Sequence, residues 1–158
     1  MSKAKRTPAG ERLTRVILDL FRLNSGLLAA GDRLVEELRL TSARWQILGA
    51  ITAEERPQPV AWIARDLGAY RQNVQRIVND LAEEGLVSFE PNPHHRRAQL
   101  VVLTDKGKQV FDAAMSLQAP WVNRLSDGLA VEEIEAAHRV VMRLQANLDD
   151  MNDTGSPD

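Results

Sequence analysis

The sequence predicts a mainly α-helical fold that carries one small β-hairpin and has long helices at both ends. Three observations predict it. Aromatics make up only 4% of a chain that is 44% apolar, so Leu, Val, Ile and Ala must build the core, a palette that suits helices better than a large sheet. Apolar residues recur at spacings of three, four and seven along both ends of the chain. Between them, a single pair of short β-branched runs brackets a turn-rich segment.

Residues 1–10, punctuated by Pro8 and Gly10, read as disordered. From Glu11 to about Leu38 the periodic set Leu13, Val16, Ile17, Leu20, Leu23, Leu27, Leu34 and Leu38 marks one long helix, with Gly26 and Gly31 as candidate kinks. At about 1.5 Å per residue it spans roughly 40 Å, more than a domain of this size needs internally, and long ends usually seek a partner. Thr41 or Ser42 caps the next helix, striped by Trp45, Ile47, Leu48 and Ile51. Glu54 to Pro59, with two prolines, reads as a loop.

A short helix follows over Val60–Leu67, ended by Gly68, and a second over Arg71–Glu84, with Val74, Ile77, Val78 and Leu81 inward and Gly85 as its stop. Leu86–Phe89 and Ala98–Leu103 are the hairpin strands, joined by a long basic tip. Thr104 caps a helix that runs to about Asp127, with Pro120 as a candidate bend. Gly128 breaks it, and a last helix runs from Val131 or Glu132 through Leu148, striped by Ile134, Ala137, Val141, Leu144 and Leu148. Residues 149–158 read as a frayed acidic tail.

Composition bounds the function. A length of 158 residues allows one domain with a real core and long helical extensions. The absence of cysteine removes disulfides, thiolate metal sites, thiol nucleophiles and cysteine redox sensing together. No apolar run approaches the roughly 18 residues that span a bilayer, and no signal-type apolar stretch follows the basic N-terminus, so a cytoplasmic protein is expected. With a net charge of −2, DNA repels the chain as a whole, so nucleic-acid binding requires a local cluster of cations.

Such a cluster is present. Short helix, tight turn, helix, strand, basic loop, strand is the order of a winged helix-turn-helix, whose second helix enters the major groove beside the hairpin. That helix presents Arg71, Gln72, Asn73, Gln75, Arg76 and Asn79 without an acid among them, side chains that pair with guanine or adenine edges. Asp80, Glu83 and Glu84 are expected toward its far end, away from the groove. The wing carries His94, His95, Arg96 and Arg97, placed for phosphate or minor-groove contacts. A polar helix face alone is as easily explained by solvation; both features in this order point to DNA.

The runs Leu40-Thr41-Ser42-Ala43-Arg44-Trp45-Gln46-Ile47-Leu48, Asp66-Leu67-Gly68, Val74-Gln75-Arg76-Ile77-Val78-Asn79-Asp80-Leu81 and Glu84-Gly85-Leu86-Val87 resemble the MarR family of bacterial regulators. So do Pro91-Asn92-Pro93-His94-His95-Arg96-Arg97-Ala98 and Leu103-Thr104-Asp105-Lys106-Gly107-Lys108. The resemblance spans about residues 11–148. It implies a triangular homodimer with interlocked terminal helices, one reading head per protomer, and a pocket between the two parts for a small aromatic or anionic effector. It also implies repression, the family's commoner mode. His95 stands where the family usually has an Asp that holds the wing, which predicts a looser or pH-sensitive wing. Tyr70 stands in place of the usual N-cap Ser, and Asn73 in place of Thr, so the start of the reading helix must be stabilised another way.

The organisation expected is therefore a disordered 1–10, a dimerisation helix 11–38, a winged helix-turn-helix DNA-binding domain 39–104, C-terminal dimerisation helices 105–148 and a flexible tail 149–158. Leu13, Val16, Ile17, Leu20, Ile134, Val141, Leu144 and Leu148 are the candidate dimer contacts. The partners are double-stranded DNA and a second copy of the chain, with no cofactor and no metal. His94 and His95 are adjacent, seldom point together and lack further ligands at suitable spacing. Trp45 and Trp62 read as core or rim residues of the DNA-binding part rather than as a ligand cage, with Trp121 more open to an interface or ligand role. Arg15 and Arg22 are more simply surface charges than an anion site, and His138 an interfacial or surface residue. No Ser-His-Asp order, phosphate-binding glycine loop or carboxylate pair supports catalysis. The rival reading is a winged-helix protein-interaction module that has lost DNA binding.

Overall fold

The computed structural model describes residues 5–153 and divides at Ala119/Pro120 into two compact units. Ten short or long elements make up the described chain. Helix α1 spans Pro8–Val35 and ends in a 3-10 turn, Glu36–Leu38. Then come α2 (Ser42–Ala53), β1 (Gln58–Pro59), α3 (Val60–Asp66), α4 (Arg71–Glu83), β2 (Val87–Glu90), β3 (Leu100–Leu103), α5 (Asp105–Leu125) and α6 (Val131–Asp153). No described helix is long and apolar enough to cross a membrane.

Helix α1 starts three residues earlier than its apolar periodicity indicates. Thr7 caps it, accepting from Gly10 N at 3.0 Å, and Pro8 occupies the first turn, where its fixed φ suits a helix and its missing N–H costs nothing. The prolyl punctuation therefore begins the helix instead of extending a disordered segment. Neither Gly26 nor Gly31 interrupts it. Gly31 serves a close approach: a Cβ there would collide with the Ser42 hydroxyl. Ser42 Oγ donates to Leu28 O at 2.7 Å, and Ser42 N donates to the Asp32 carboxylate at 2.6 Å. The start of α2 is thus pinned to the C-terminal part of α1.

Thr41 is the N-cap of α2 as expected, but its bond from Arg44 N is long at 3.3 Å, and Asp32 holds the same end more tightly. Carboxylate-to-amide bonds at a helix start are charge-assisted. Asp32→Ala should therefore cost about 1–2 kcal/mol and Thr41→Ala only about 0.5–1 kcal/mol. Urea unfolding of the two variants checks the order; an equal or reversed cost would show that Thr41 carries the cap.

The first unit is built around Val35, Ile47, Leu48, Ile63, Val74, Val78, Leu81 and Val101, all essentially inaccessible. Trp45, Ile51 and Ile77 pack half-buried against them. The segment expected as a loop before α3 contains a strand. Gln58 and Pro59 pair antiparallel with Val101 and Leu100, giving a three-stranded sheet in the order β1-β3-β2. A two-residue strand has no periodicity to read, and its partner lies some forty residues away. In the hairpin proper, Val87 faces Leu103 and Phe89 faces Val101, one residue later at its start than the Leu86–Phe89 expected.

Pro120 lies inside α5 without ending it. The helix stops at Leu125, and the chain turns through Gly128 at φ 81°, a conformation that favours glycine. Helix α6 starts with Glu133 reaching back to accept from Ala130 N at 2.9 Å, the reciprocal half of a capping box. It runs on to Asp153, five residues beyond Leu148. Acidic composition reads as a tail, yet no Gly or Pro occurs before Gly155 to stop the helix. The expected tail beyond Asp153 lies outside the described residues.

Candidate nucleic-acid interface

Helices α3 and α4 are joined by a tight turn in which Gly68 takes φ 60° and Ala69 N donates to Ala64 O at 2.9 Å. Tyr70 is the N-cap residue of α4 and makes no side-chain capping bond. Its carbonyl instead receives Asn73 N and Val74 N, at 3.0 and 3.1 Å, and its ring is left 83% exposed beside the helix start. The stabilisation that a serine would supply is absent. The helix is held through its inner face, where Val74, Val78 and Leu81 are buried.

On the outer face Arg71, Gln72, Asn73, Arg76 and Asn79 are exposed and Gln75 is half-buried. Gln75 Nε2 donates to Asn79 Oδ1 at 3.0 Å, which pre-orders two of the candidate base-reading amides. Arg71, Gln72, Gln75, Arg76 and Asn79 border one open depression of about 670 Å³, and Asp80 and Glu83 border it too. The acids expected to lie clear of the reading face therefore share its C-terminal part. Asp80 stands 3.8 Å from Arg76, with both side chains more than half exposed. Such a pair contributes little and is easily exchanged for a stronger anion. Glu84, the C-cap residue, does not border it, and its carboxylate bonds Arg44 of α2 instead.

The wing turn spans residues 91–99. Asn92 closes it: His94 N donates to Asn92 Oδ1 at 3.0 Å, His95 N to Asn92 O at 3.3 Å, and Ala98 N to His95 O at 3.1 Å. An Asx turn of this kind imitates a backbone turn, and it orders the tip without the family's Asp. His94, His95, Arg96 and Arg97 are all exposed, and neither imidazole has a hydrogen-bond partner among the described residues. No group of three or more His, Cys, Asp or Glu is placed to hold a metal among the described residues. At the base of the wing, Arg97, Ala98 and Gln99 meet Arg71 and Gln75 of α4 across a second, smaller cleft.

Three residues hold the end of α4 through contacts that sequence reading does not give. Arg44 of α2, with only 17% of its side chain exposed, bonds Glu84 at 2.6 Å and Arg39 O at 2.8 Å. Lys106 of α5 donates to Glu84 O at 2.7 Å. Thr104 caps α5, accepting from Gly107 N at 3.0 Å, and its hydroxyl also donates to Gly85 O at 2.7 Å. The C-terminal end of the reading helix is thus tied to α2 and α5. These partners lie between 19 and 40 residues apart, a distance at which no local pattern signals them.

The aromatic candidates separate. Trp45 packs against the core, Trp62 stands 53% exposed on α3 with the Arg65 guanidinium 5.7 Å from its ring centre, and Trp121 is half-buried. Of the candidate dimer residues, Val16, Ile17, Leu20, Ile134, Val141 and Leu148 are exposed large apolar side chains, and Leu13 and Leu144 are half-buried. Arg15 and His138 are exposed, and Arg22 lies 3.7 Å from Asp19 in an exposed pair.

The sequence model of the MarR family matches residues 40–98, from the start of α2 to the wing. An uncharacterised protein of Mycobacterium tuberculosis is 34% identical over 134 residues, covering 85% of this chain and 92% of its own. The transcriptional activatory protein BadR of Rhodopseudomonas palustris is 26% identical over 150 residues, with 90% of this chain and 83% of its own covered. Among solved structures, the MarR family regulator Sco5413 of Streptomyces coelicolor superposes with a TM-score of 0.74 at 26% identity, over 88% of this chain and 96% of its own. Fold, matched segment and relatives agree: the chain belongs to the MarR family of winged helix-turn-helix, DNA-binding transcription regulators.

Proposed function

We propose that the chain works as a homodimeric repressor on a near-palindromic operator and is released from it by a small aromatic or anionic ligand. The observation that carries the DNA-reading part is the face of α4: Gln72, Asn73, Gln75, Arg76 and Asn79 present amide and guanidinium groups outward beside a wing bearing Arg96 and Arg97. Arg pairs with guanine and Asn or Gln with adenine in the major groove, while the wing histidines and arginines meet backbone or minor groove. No enzymatic role is proposed.

Dimerisation is assigned to α1 and the C-terminal helices. Leu13, Val16, Ile17 and Leu20 form one stripe, and Ile134, Val141, Leu144 and Leu148 another. No described residue of α6 is buried within the chain, although Ile134, Val140, Val141, Met142 and Leu148 are large and apolar. A helix that leaves most of its stripe exposed in its own protomer is expected to bury it in a partner. Two reading helices would then enter successive major grooves about one helical turn apart.

The test is binding of the purified protein to its own upstream intergenic DNA at several salt concentrations, against unrelated duplex. Saturable binding that survives the competitor and protects a near-palindrome supports the reading. Equal, weak binding to both duplexes would favour a protein-interaction module instead, and a reporter that falls when the gene is deleted would reverse the sign to activation. Arg76→Ala should weaken operator binding about 10–100-fold, equivalent to about 1–3 kcal/mol, and relax preference at one base pair. An unchanged operator isotherm would remove Arg76 from the site.

A further inference from the structure

From the seam between reading helix and wing we infer a built phosphate site, in which Arg71 and Arg97 together hold one backbone phosphate of the bound duplex. The inference rests on the DNA-reading assignment of α4 and adds to it a role for two residues. By position alone, Arg71 at the start of α4 would be taken as a base reader.

The cleft is lined by Arg71 and Gln75 from α4, by Arg97, Ala98 and Gln99 at the wing base, and by Phe89 and Pro59 as apolar walls. The two arginines are 26 positions apart in sequence, and only the packing of the wing against α4 brings them to one place. Neither makes an ion pair or a side-chain hydrogen bond among the described residues, and no carboxylate lines the cleft. A guanidinium is charged at every accessible pH. Two of them bordering one cleft without a counter-charge repel each other unless an anion enters.

Size and direction identify the anion. The cleft holds about 80 Å³, well below the roughly 300 Å³ at which small-molecule sites begin, but on the scale of a single anionic group. Successive residues of a helix turn by about 100°, which puts Arg71 roughly 100° from Gln72 and 140° from Arg76 around α4. Arg71 therefore lies on the flank of the helix that faces the wing, while Gln72 and Arg76 occupy its outward centre. Arg71 and Gln75 border both the large depression and the small cleft, so they form the ridge between them. A duplex seated on the outward face of α4 brings its sugar–phosphate edge, not a base edge, over that ridge. Arginine forks bind phosphate oxygens in pairs, and the Gln75 and Gln99 amides are at hand as further donors.

Counterion release makes the assignment measurable. Each phosphate neutralised contributes about 0.9 to the slope of log affinity against log salt. The experiment titrates the upstream fragment and an unrelated duplex of equal length with the wild-type protein, Arg71→Ala, Arg97→Ala and the double variant over a salt series. One shared phosphate predicts that the double variant loses about 0.9 of slope in total. Each single variant, whose remaining arginine still meets the phosphate, should lose less than that, with the same factor of weakening on both duplexes. Arg71→Lys and Arg97→Lys should keep the slope while binding less tightly, which separates charge from fork geometry. A double variant that loses about 1.8 would mean two separate phosphates. A change of preferred base with Arg71→Ala would mean base reading; either result overturns the shared site while leaving DNA reading by α4 intact. Absence of salt-dependent duplex binding by the wild-type protein would overturn the DNA-reading assignment itself, and the site with it.

Discussion

Gly107→Ala is expected to lower stability by about 3 kcal/mol or more, and to depress the melting temperature by about 10 °C or more. A Cβ at this position would be driven into the Leu86 carbonyl and would approach Leu103 Cδ1 at 2.9 Å. Neither contact can give way cheaply. Leu86 O accepts from Thr104 N at 3.1 Å, and Leu103 is paired with Val87 in the sheet. Moving the first turn of α5 outward would also strain the Thr104 bond to Gly85 O, and with it the end of the reading helix. The control is Gly26→Ala, a mid-helix glycine with nothing within 4 Å of the added Cβ, which should raise stability by up to about 1 kcal/mol. Thermal unfolding at fixed protein concentration compares the two. A Gly107→Ala protein as stable as wild type would mean that α5 docks more loosely than the structure places it.

Leu20→Asp should dissociate the proposed dimer. Leu20 is a large exposed apolar residue of α1 that adds nothing to the buried core of the first unit. In the proposed interface it would be desolvated, and an unpaired buried carboxylate costs about 3–5 kcal/mol. A two-fold interface repeats the cost in each protomer, so the dimer dissociation constant should rise more than about 10³-fold. Operator affinity should fall about 10²–10⁴-fold with the loss of bivalent binding. Sedimentation equilibrium and gel-shift titration measure the two effects, and Leu20→Met, which keeps the apolar volume, should retain both. A Leu20→Asp protein that remains dimeric at micromolar concentration would remove this stripe of α1 from the interface.

Much of this architecture was legible from residue order. Spacings of three and four marked α1, α4 and α6, because burial on one face of a helix leaves a periodic trace, while the Thr104 cap marked α5. Gly68, Gly85 and Gly128 marked three turns, since each takes a positive φ that few other residues tolerate. The acid-free run on α4 and the basic wing tip also follow from local order, and so the candidate DNA surface was readable residue by residue. The ends were less so. Pro8 reads as punctuation although it begins α1, and Asp149 to Asp153 read as a tail although they continue α6. Composition describes solvation, whereas a helix end is decided by caps and breakers.

The local choices in this protein, helix or strand and which face is apolar, are thus written in neighbouring residues, because they depend on torsions and periodic burial within about two turns. What tertiary structure alone decided is long-range. It pairs Gln58 and Pro59 with β3 and sets Gly31 under Ser42 and Gly107 under Leu86. It also ties the end of α4 to Arg44, Lys106 and Thr104, and brings Arg71 to one cleft with Arg97. Each of these joins groups at least ten residues apart, often across several elements. Such contacts carry no period, and they exist only once the apolar faces have packed and fixed which surfaces meet.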